Sequence, residues 1–257
     1  MIKQTGGIVQ EMRRRLNELF SLLANNDKVR SQTENDLFTL TAEMPVSALD
    51  CEQEDIDLLS AYFNSPFNLS DFNEPARKLF QVSQDAFDVF IHAWMSELPV
   101  EKQIVSYGRK VMAAKQAADD CGDEDTFTVK NAAGKVRLEV HRITGFLRFS
   151  PQNDIYTAHC APDHLIIPAL GAQFTARFHK ISWAVIDDKR KLCLYSMMGE
   201  KAKLIRQEKT AEIPRKTDEW EELWRHYHKT INNESRKNTG LQRQFMPNRY
   251  RKYLPEL

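Results

Sequence analysis

KVRLEVHRITGFLRFS, residues 135–150, changes its hydrophobic period part-way along. Val129, Ala133, Val136, Val140 and Ile143 recur at steps of three or four, the spacing of an apolar helix face. Lys130, Arg137 and His141 fall on another face. From Gly145 the period drops to two. Phe146 and Arg148 alternate with Leu147 and Phe149, which predicts a strand over about 145–150. A cationic helix face that delivers an arginine into a strand points to an anionic ligand.

Downstream, the turn residues Pro151-Gln152-Asn153-Asp154 separate this strand from a second at 154–160. A helix is expected over 166–178, then a hairpin of 181–187 and 191–197 turned by Asp187 to Arg190, then a strand near 201–206. Asp218 is placed to cap a helix with an acidic first turn, which suits the helix dipole. Its stripe of Trp220, Leu223, Trp224, Tyr227 and Ile231 is expected to be buried. A short helix begun by Pro247 closes the chain.

Upstream, the spacing predicts helices over 8–24 and around 56–63, with an irregular polar tract between them and a connection over 64–74. The helix predicted at 84–98 has a stripe of Phe87, Phe90, Ile91, Trp94 and Leu98 and stops at Pro99. His92 lies off that stripe and is expected to face solvent. A helix at 101–118 turns Arg109, Lys110 and Lys115 outward, to solvent or phosphate. The acidic, glycine-containing Asp119 to Asp125 is the expected boundary. The fold class is α+β. An acidic helical region (1–120) precedes a basic domain (126–257) with a small, mostly antiparallel sheet flanked by helices and a C-terminal tail.

The chain has 36 basic and 36 acidic residues, yet their distribution is uneven. Residues 1–100 hold 8 Lys/Arg against 16 Asp/Glu, and residues 101–257 hold 28 against 20. Such halves either dock on one another or reserve the basic one for a polyanion. Four scattered cysteines without a CxxC pair favour reduced thiols over a disulfide frame. No apolar run suits a signal peptide or a membrane span, so a soluble, cytoplasmic protein is expected. GxSxG, Walker A, GxGxxG and HExxH are all missing.

His159, Cys160, Asp163 and His164 are metal-ligating residue types. Their spacing is not that of a zinc site, and a strand would send His159 and Cys160 to opposite faces, so neither metal nor cofactor is expected. Asp163 suits a helix cap or a loop. Arg142 stands three residues after Glu139, as in a helical ion pair. Arg148, with Arg142, Arg190 and His141 nearby, would form a phosphate or carboxylate site. In the tail, Arg236, Lys237, Arg243, Arg249, Arg251 and Lys252 interleave with Phe245, Tyr250 and Tyr253. Cations hold phosphates and rings stack on unpaired bases, which suits nucleic acid. The alternative is a tail whose rings dock on the body while its charges stay solvated.

VRLEVHRITGFLRF (136–149), PDHLIIPAL (162–170) with ARF (176–178), WAVIDDKRKLCLY (183–195) and ESRKNTGLQRQFMPNRYRKYLPEL (234–257) resemble, in order, a bacterial family assigned to DNA metabolism and DNA repair. The resemblance covers about 85–257 and rests on a domain of unknown function. It implies a genomic or fused association with radical S-adenosylmethionine (radical SAM) proteins or uracil-DNA-glycosylase-like domains. Carried over by position, the family's recurring polar residues are His141, Arg142, Arg148, Asp163, His164, Asp187, Arg190, Arg236, Asn238, Gln242, Arg249 and Tyr250. The sequence departs from the family where Asn248 replaces a common lysine and Arg251 a common tryptophan.

Three functions are therefore expected in competition. The first is binding of single-stranded or damaged DNA through Arg142, Arg148, Arg190, Arg236, Lys237, Arg243, Arg249 and Tyr250. The second is an enzyme acting on a nucleobase or nucleotide, with His141, Asp163 and His164 as acid–base residues. The third is a module that docks a radical SAM protein through the acidic half.

Overall fold

The computed structural model describes residues 4–5, 8–9, 15–24, 52–64, 67–152, 154–206, 219–236 and 238–254. The chain divides into two compact units, Met1–Glu139 with Asp163–Ile166, and Val140–Pro162 with Ile167–Leu257. The fold class is α+β, as expected. No helix among the described residues is long and apolar enough to cross a membrane.

The first unit opens with two short paired strands, β1 (Gln4–Thr5) and β2 (Ile8–Val9), where a helix was expected from residue 8. Its helices are α1 (Leu16–Leu22), α2 (Gln53–Phe63), α3 (Glu74–Val82), α4 (Gln84–Trp94) and α5 (Glu101–Ala113), with the start of α6 (Glu124–Phe146). Asn73 and Ser83 cap α3 and α4 by accepting the backbone N–H groups of Ala76 and Ala86. The core is aromatic: Phe20 stacks on Phe90 with centroids 4.3 Å apart and on Phe87 at 5.4 Å, and Phe72 meets it edge-on. Gly108 lets α1 approach α5, because a Cβ there would lie 2.7 Å from the Leu23 side chain.

Several cations expected to face outward are used here instead. Arg109 donates to the Leu22 carbonyl at 3.0 and 2.7 Å, closing the open end of α1. Lys110 joins Asp123 and Asp125, so the acidic stretch expected as a boundary lies inside the first unit. Helix α4 stops at Trp94, ahead of Pro99. His92 is buried rather than solvent-facing, with its ring edge-on to Phe63 and Nδ1 2.8 Å from the Asp88 carbonyl oxygen. Position off the main stripe mattered less than the aromatic cluster that covers it.

The described residues of the second unit form a five-stranded sheet in the order β3 (Ser150–Gln152), β4 (Ile155–Cys160), β5 (Ser182–Asp187), β6 (Leu192–Ser196) and β7 (Lys203–Arg206). Three pairings are antiparallel; only β4 and β5 are parallel. Parallel pairing needs a long crossover, and residues 161–181 supply it, including α7 (Gly171–Arg177). Every β5 residue after Ser182 is buried, which marks a central strand covered on both faces. Trp183 packs near Phe174, which touches Phe149 and Phe178. The tail brings α8 (Glu219–Ile231), α9 (Thr239–Phe245) and α10 (Asn248–Arg251).

The expected strand at 145–150 begins only at Ser150. Phe146 still belongs to α6, and Arg148 lies in the connection. Arg148 Nη1 donates to the carbonyls of Gly145 at 3.0 Å and Leu147 at 3.4 Å, so its charge closes the helix C-terminus where the dipole is negative.

Candidate nucleic-acid interface

The parallel pair sets Cys160 beside Asp187, so the carboxyl ends of β4 and β5 open together. Binding sites in α/β sheets gather at such ends. Here Asp187 starts a tight turn. Its Oδ1 accepts the N–H groups of Lys189 (2.9 Å) and Arg190 (3.2 Å), and Lys191 completes the turn at φ 55°. The Arg190 guanidinium folds back to Asp187 Oδ2 at 2.8 Å and the Pro162 carbonyl at 3.1 Å. Both side chains of this ion pair are buried, at 0% and 1% exposure. Arg190, expected at a phosphate site, is a structural residue.

Beside it stands a cluster that the residue spacing did not indicate. His159 Nδ1 lies 3.0 Å from Asp188 Oδ1, and the Tyr253 hydroxyl donates to Asp188 Oδ2 at 2.7 Å. Burial opposes ionisation of Asp188, but the hydrogen bonds from His159 and Tyr253 outweigh it and lower its pKa. Burial and the Asp188 carboxylate both push the Tyr253 phenol up, so it remains a donor. The His159 Nε2 is enclosed without a hydrogen-bond partner. An aspartate orienting a histidine is the arrangement of a general base, yet here the acceptor nitrogen is closed off and the carboxylate fastens the tail.

Tyr253→Phe is therefore expected to cost about 1.5 kcal/mol, the contribution of a hydrogen bond to a charged group. The effect would be read as faster hydrogen exchange over 247–254. Asp188 has a lowered folded pKa, so its stabilisation is present above the ordinary carboxylate range and is lost as pH falls through the folded value. The variant should lose the tail at a higher pH than the parent.

The tail itself is a strap. Tyr250 is 1% exposed and meets Phe146 at 5.5 Å, and Leu254 is buried with it. The Arg249 guanidinium lies 4.7 Å from the Tyr250 ring centroid and donates to its hydroxyl at 3.1 Å. Arg251, where the family resemblance implied tryptophan, donates to Gln242 at 3.1 Å. Arg249 and Tyr250 thus hold the tail together.

The remaining expected residues fall on several elements. His141 is exposed on α6, and Arg142 is half-exposed beside it. Glu139, the partner expected for Arg142, is buried and accepts the backbone N–H groups of Asp163 (3.0 Å) and His164 (2.8 Å). His164 Nδ1 accepts from the Glu97 N–H at 3.1 Å. Asp163 and His164 fall in the helical unit, and His141 in the sheet unit. Among the described residues no group of three His, Cys, Asp or Glu could hold a metal. Arg236 is exposed in a single helical turn, Glu234–Arg236. Arg243 falls on α9, and Lys237 lies outside the described residues.

The largest departure concerns α8. Its apolar stripe is exposed rather than buried: Trp224 is 40% and Tyr227 50% exposed, with Leu223 and Ile231 open as well. The Trp224 and Tyr227 rings lie 5.6 Å apart. Arg225, His226 and Lys229 are exposed among them. Phe127, Tyr156, Trp224, Tyr227 and Phe245 are the exposed large aromatic residues among those described, and three of these five fall within 224–245 beside Arg236.

A family model described as a domain of unknown function, DUF4130, matches residues 100–256. The chain belongs to this family. No curated protein and no solved structure matches it. The DUF4130 match includes the Asp187–Arg190 pair, the His159–Asp188–Tyr253 cluster and the exposed rings of α8, while the aromatic cluster around Phe20 and Phe87 precedes it.

Proposed function

We propose that this protein binds single-stranded nucleic acid through the segment 219–245, as a cytoplasmic protein of DNA metabolism or repair. The observation that carries this reading is the exposed Trp224–Tyr227 pair on a helix that also exposes Arg225 and Lys229, with the exposed Arg236 following in sequence. Rings stack on unpaired bases, each contributing about 1–3 kcal/mol, while cations track the phosphates. The family resemblance supports the DNA context and suggests damaged DNA as the target. It also suggests a radical SAM protein or a uracil-DNA-glycosylase-like protein as the partner that does the chemistry.

The test is fluorescence anisotropy of labelled single-stranded and duplex oligonucleotides with the full chain at low and moderate salt. Single strands should bind more tightly than duplex, with affinity falling steeply as salt rises. Failure to bind at low salt would sink the reading. In that case α8 is left as a docking face for protein.

A further inference from the structure

The helical unit contains a cavity of about 410 Å³, within the size range of small-molecule sites. None of its lining residues belongs to the segment proposed for nucleic acid. Tyr107 lines it from α5 and is 1% exposed, yet its hydroxyl has no hydrogen-bond partner among the described residues. The hydroxyl therefore faces the space of the cavity rather than a protein acceptor. Burial first, then the nearby Asp119, push this phenol up to about 12, so it is a donor at neutral pH.

The neighbouring charges decide what it donates to. Asp88 also lines the cavity, but its carboxylate already takes the Tyr62 hydroxyl at 2.5 Å, Arg137 at 2.5 Å and His92 at 3.2 Å. Burial opposes the charge on Asp88, and these partners outweigh it and hold its pKa far below the usual carboxylate range. Asp119 turns its side chain to solvent at 91% exposure. Asp88 is thus satisfied and Asp119 turned away, which leaves the exposed Asp85 as the remaining carboxylate of the lining, while the donors have capacity left. Arg137 uses one guanidinium nitrogen on Asp88. Lys130 spends two bonds, on the Ala118 carbonyl at 3.1 Å and on Asp119 at 2.9 Å. The first turn of α4 lines the cavity too and adds the positive end of a helix dipole, which Asp85 partly offsets.

We propose that this cavity binds a small anionic metabolite, whose carboxylate or phosphate oxygens accept the Tyr107 hydroxyl and are held by Lys130 and Arg137. The test is an NMR titration of the full chain with sodium phosphate and, separately, sodium acetate, at an ionic strength held constant with chloride. Saturable shifts of the amides around Ser83–Val89, Tyr107 and Lys130 are expected. Tyr107→Phe should weaken binding about tenfold through the lost hydrogen bond, with an unchanged melting temperature. Lys130→Gln keeps a donor for the Ala118 carbonyl, removes the charge, and should weaken binding at least as much. Preference for phosphate identifies a phosphorylated ligand, and preference for acetate a carboxylic acid. Shifts no larger than those from chloride, or equal affinity in the parent and both folded variants, would overturn the proposal.

Discussion

Arg190→Met is expected to cost about 3–5 kcal/mol of folding stability, because it leaves the buried Asp187 carboxylate without its partner. Asp187 and Arg190 sit at 0% and 1% exposure, and the guanidinium also satisfies the Pro162 carbonyl. For a chain of this size, each kcal/mol lowers the melting temperature by about 2–4 °C, so a fall of roughly 6–20 °C should appear in thermal denaturation. Arg190→Lys should not rescue it, since a lysine cannot span carboxylate and carbonyl with a planar fork. Asp187→Asn combined with Arg190→Met removes both charges, keeps an Oδ1 acceptor for the Lys189 and Arg190 N–H groups, and should recover much of the loss. A surface phosphate ligand behaves in the opposite way. Its loss would leave the melting temperature within a degree or so and weaken DNA binding directly. A thermally silent Arg190→Met would refute the structural role.

This arginine also shows where sequence reasoning stopped. The hairpin was legible, because Ser182–Asp187 and Leu192–Ser196 flank a turn of Asp and basic residues. The direction of the Arg190 side chain was not, because it depends on the parallel pairing that brings β4 up to Asp187. The end of α6 was misread for a local reason. Phe146, Leu147, Arg148 and Phe149 alternate as a strand would, yet Arg148 closes the helix and Phe149 joins the cluster of Phe174 and Phe178. Tyr253 and Asp188 are remote in sequence, and their bond is a tertiary outcome. The nucleic-acid reading rested first on the tail rings, and there Tyr250 and Tyr253 turned inward while Phe245 stayed exposed.

Periodicity can show that a helix has one apolar face, but it does not say that a partner covers that face, and α8 is the case in point. Trp224→Ala combined with Tyr227→Ala is expected to weaken single-stranded DNA binding by at least about 2 kcal/mol, roughly thirty-fold, if each ring stacks one base. The same double variant should melt with the parent, since both rings are already exposed. Its salt dependence should be preserved, because the phosphate-facing cations remain. Arg225→Ala with Lys229→Ala should do the reverse, lowering the salt slope by about one for each phosphate that is no longer neutralised. That split separates stacking from charge in a single set of anisotropy titrations. If the ring variant instead keeps full affinity and its salt slope, Trp224 and Tyr227 are not stacking on bases. The exposed face of α8 is then a protein-docking surface, and the search for the nucleic-acid site moves to Arg236 and Phe245.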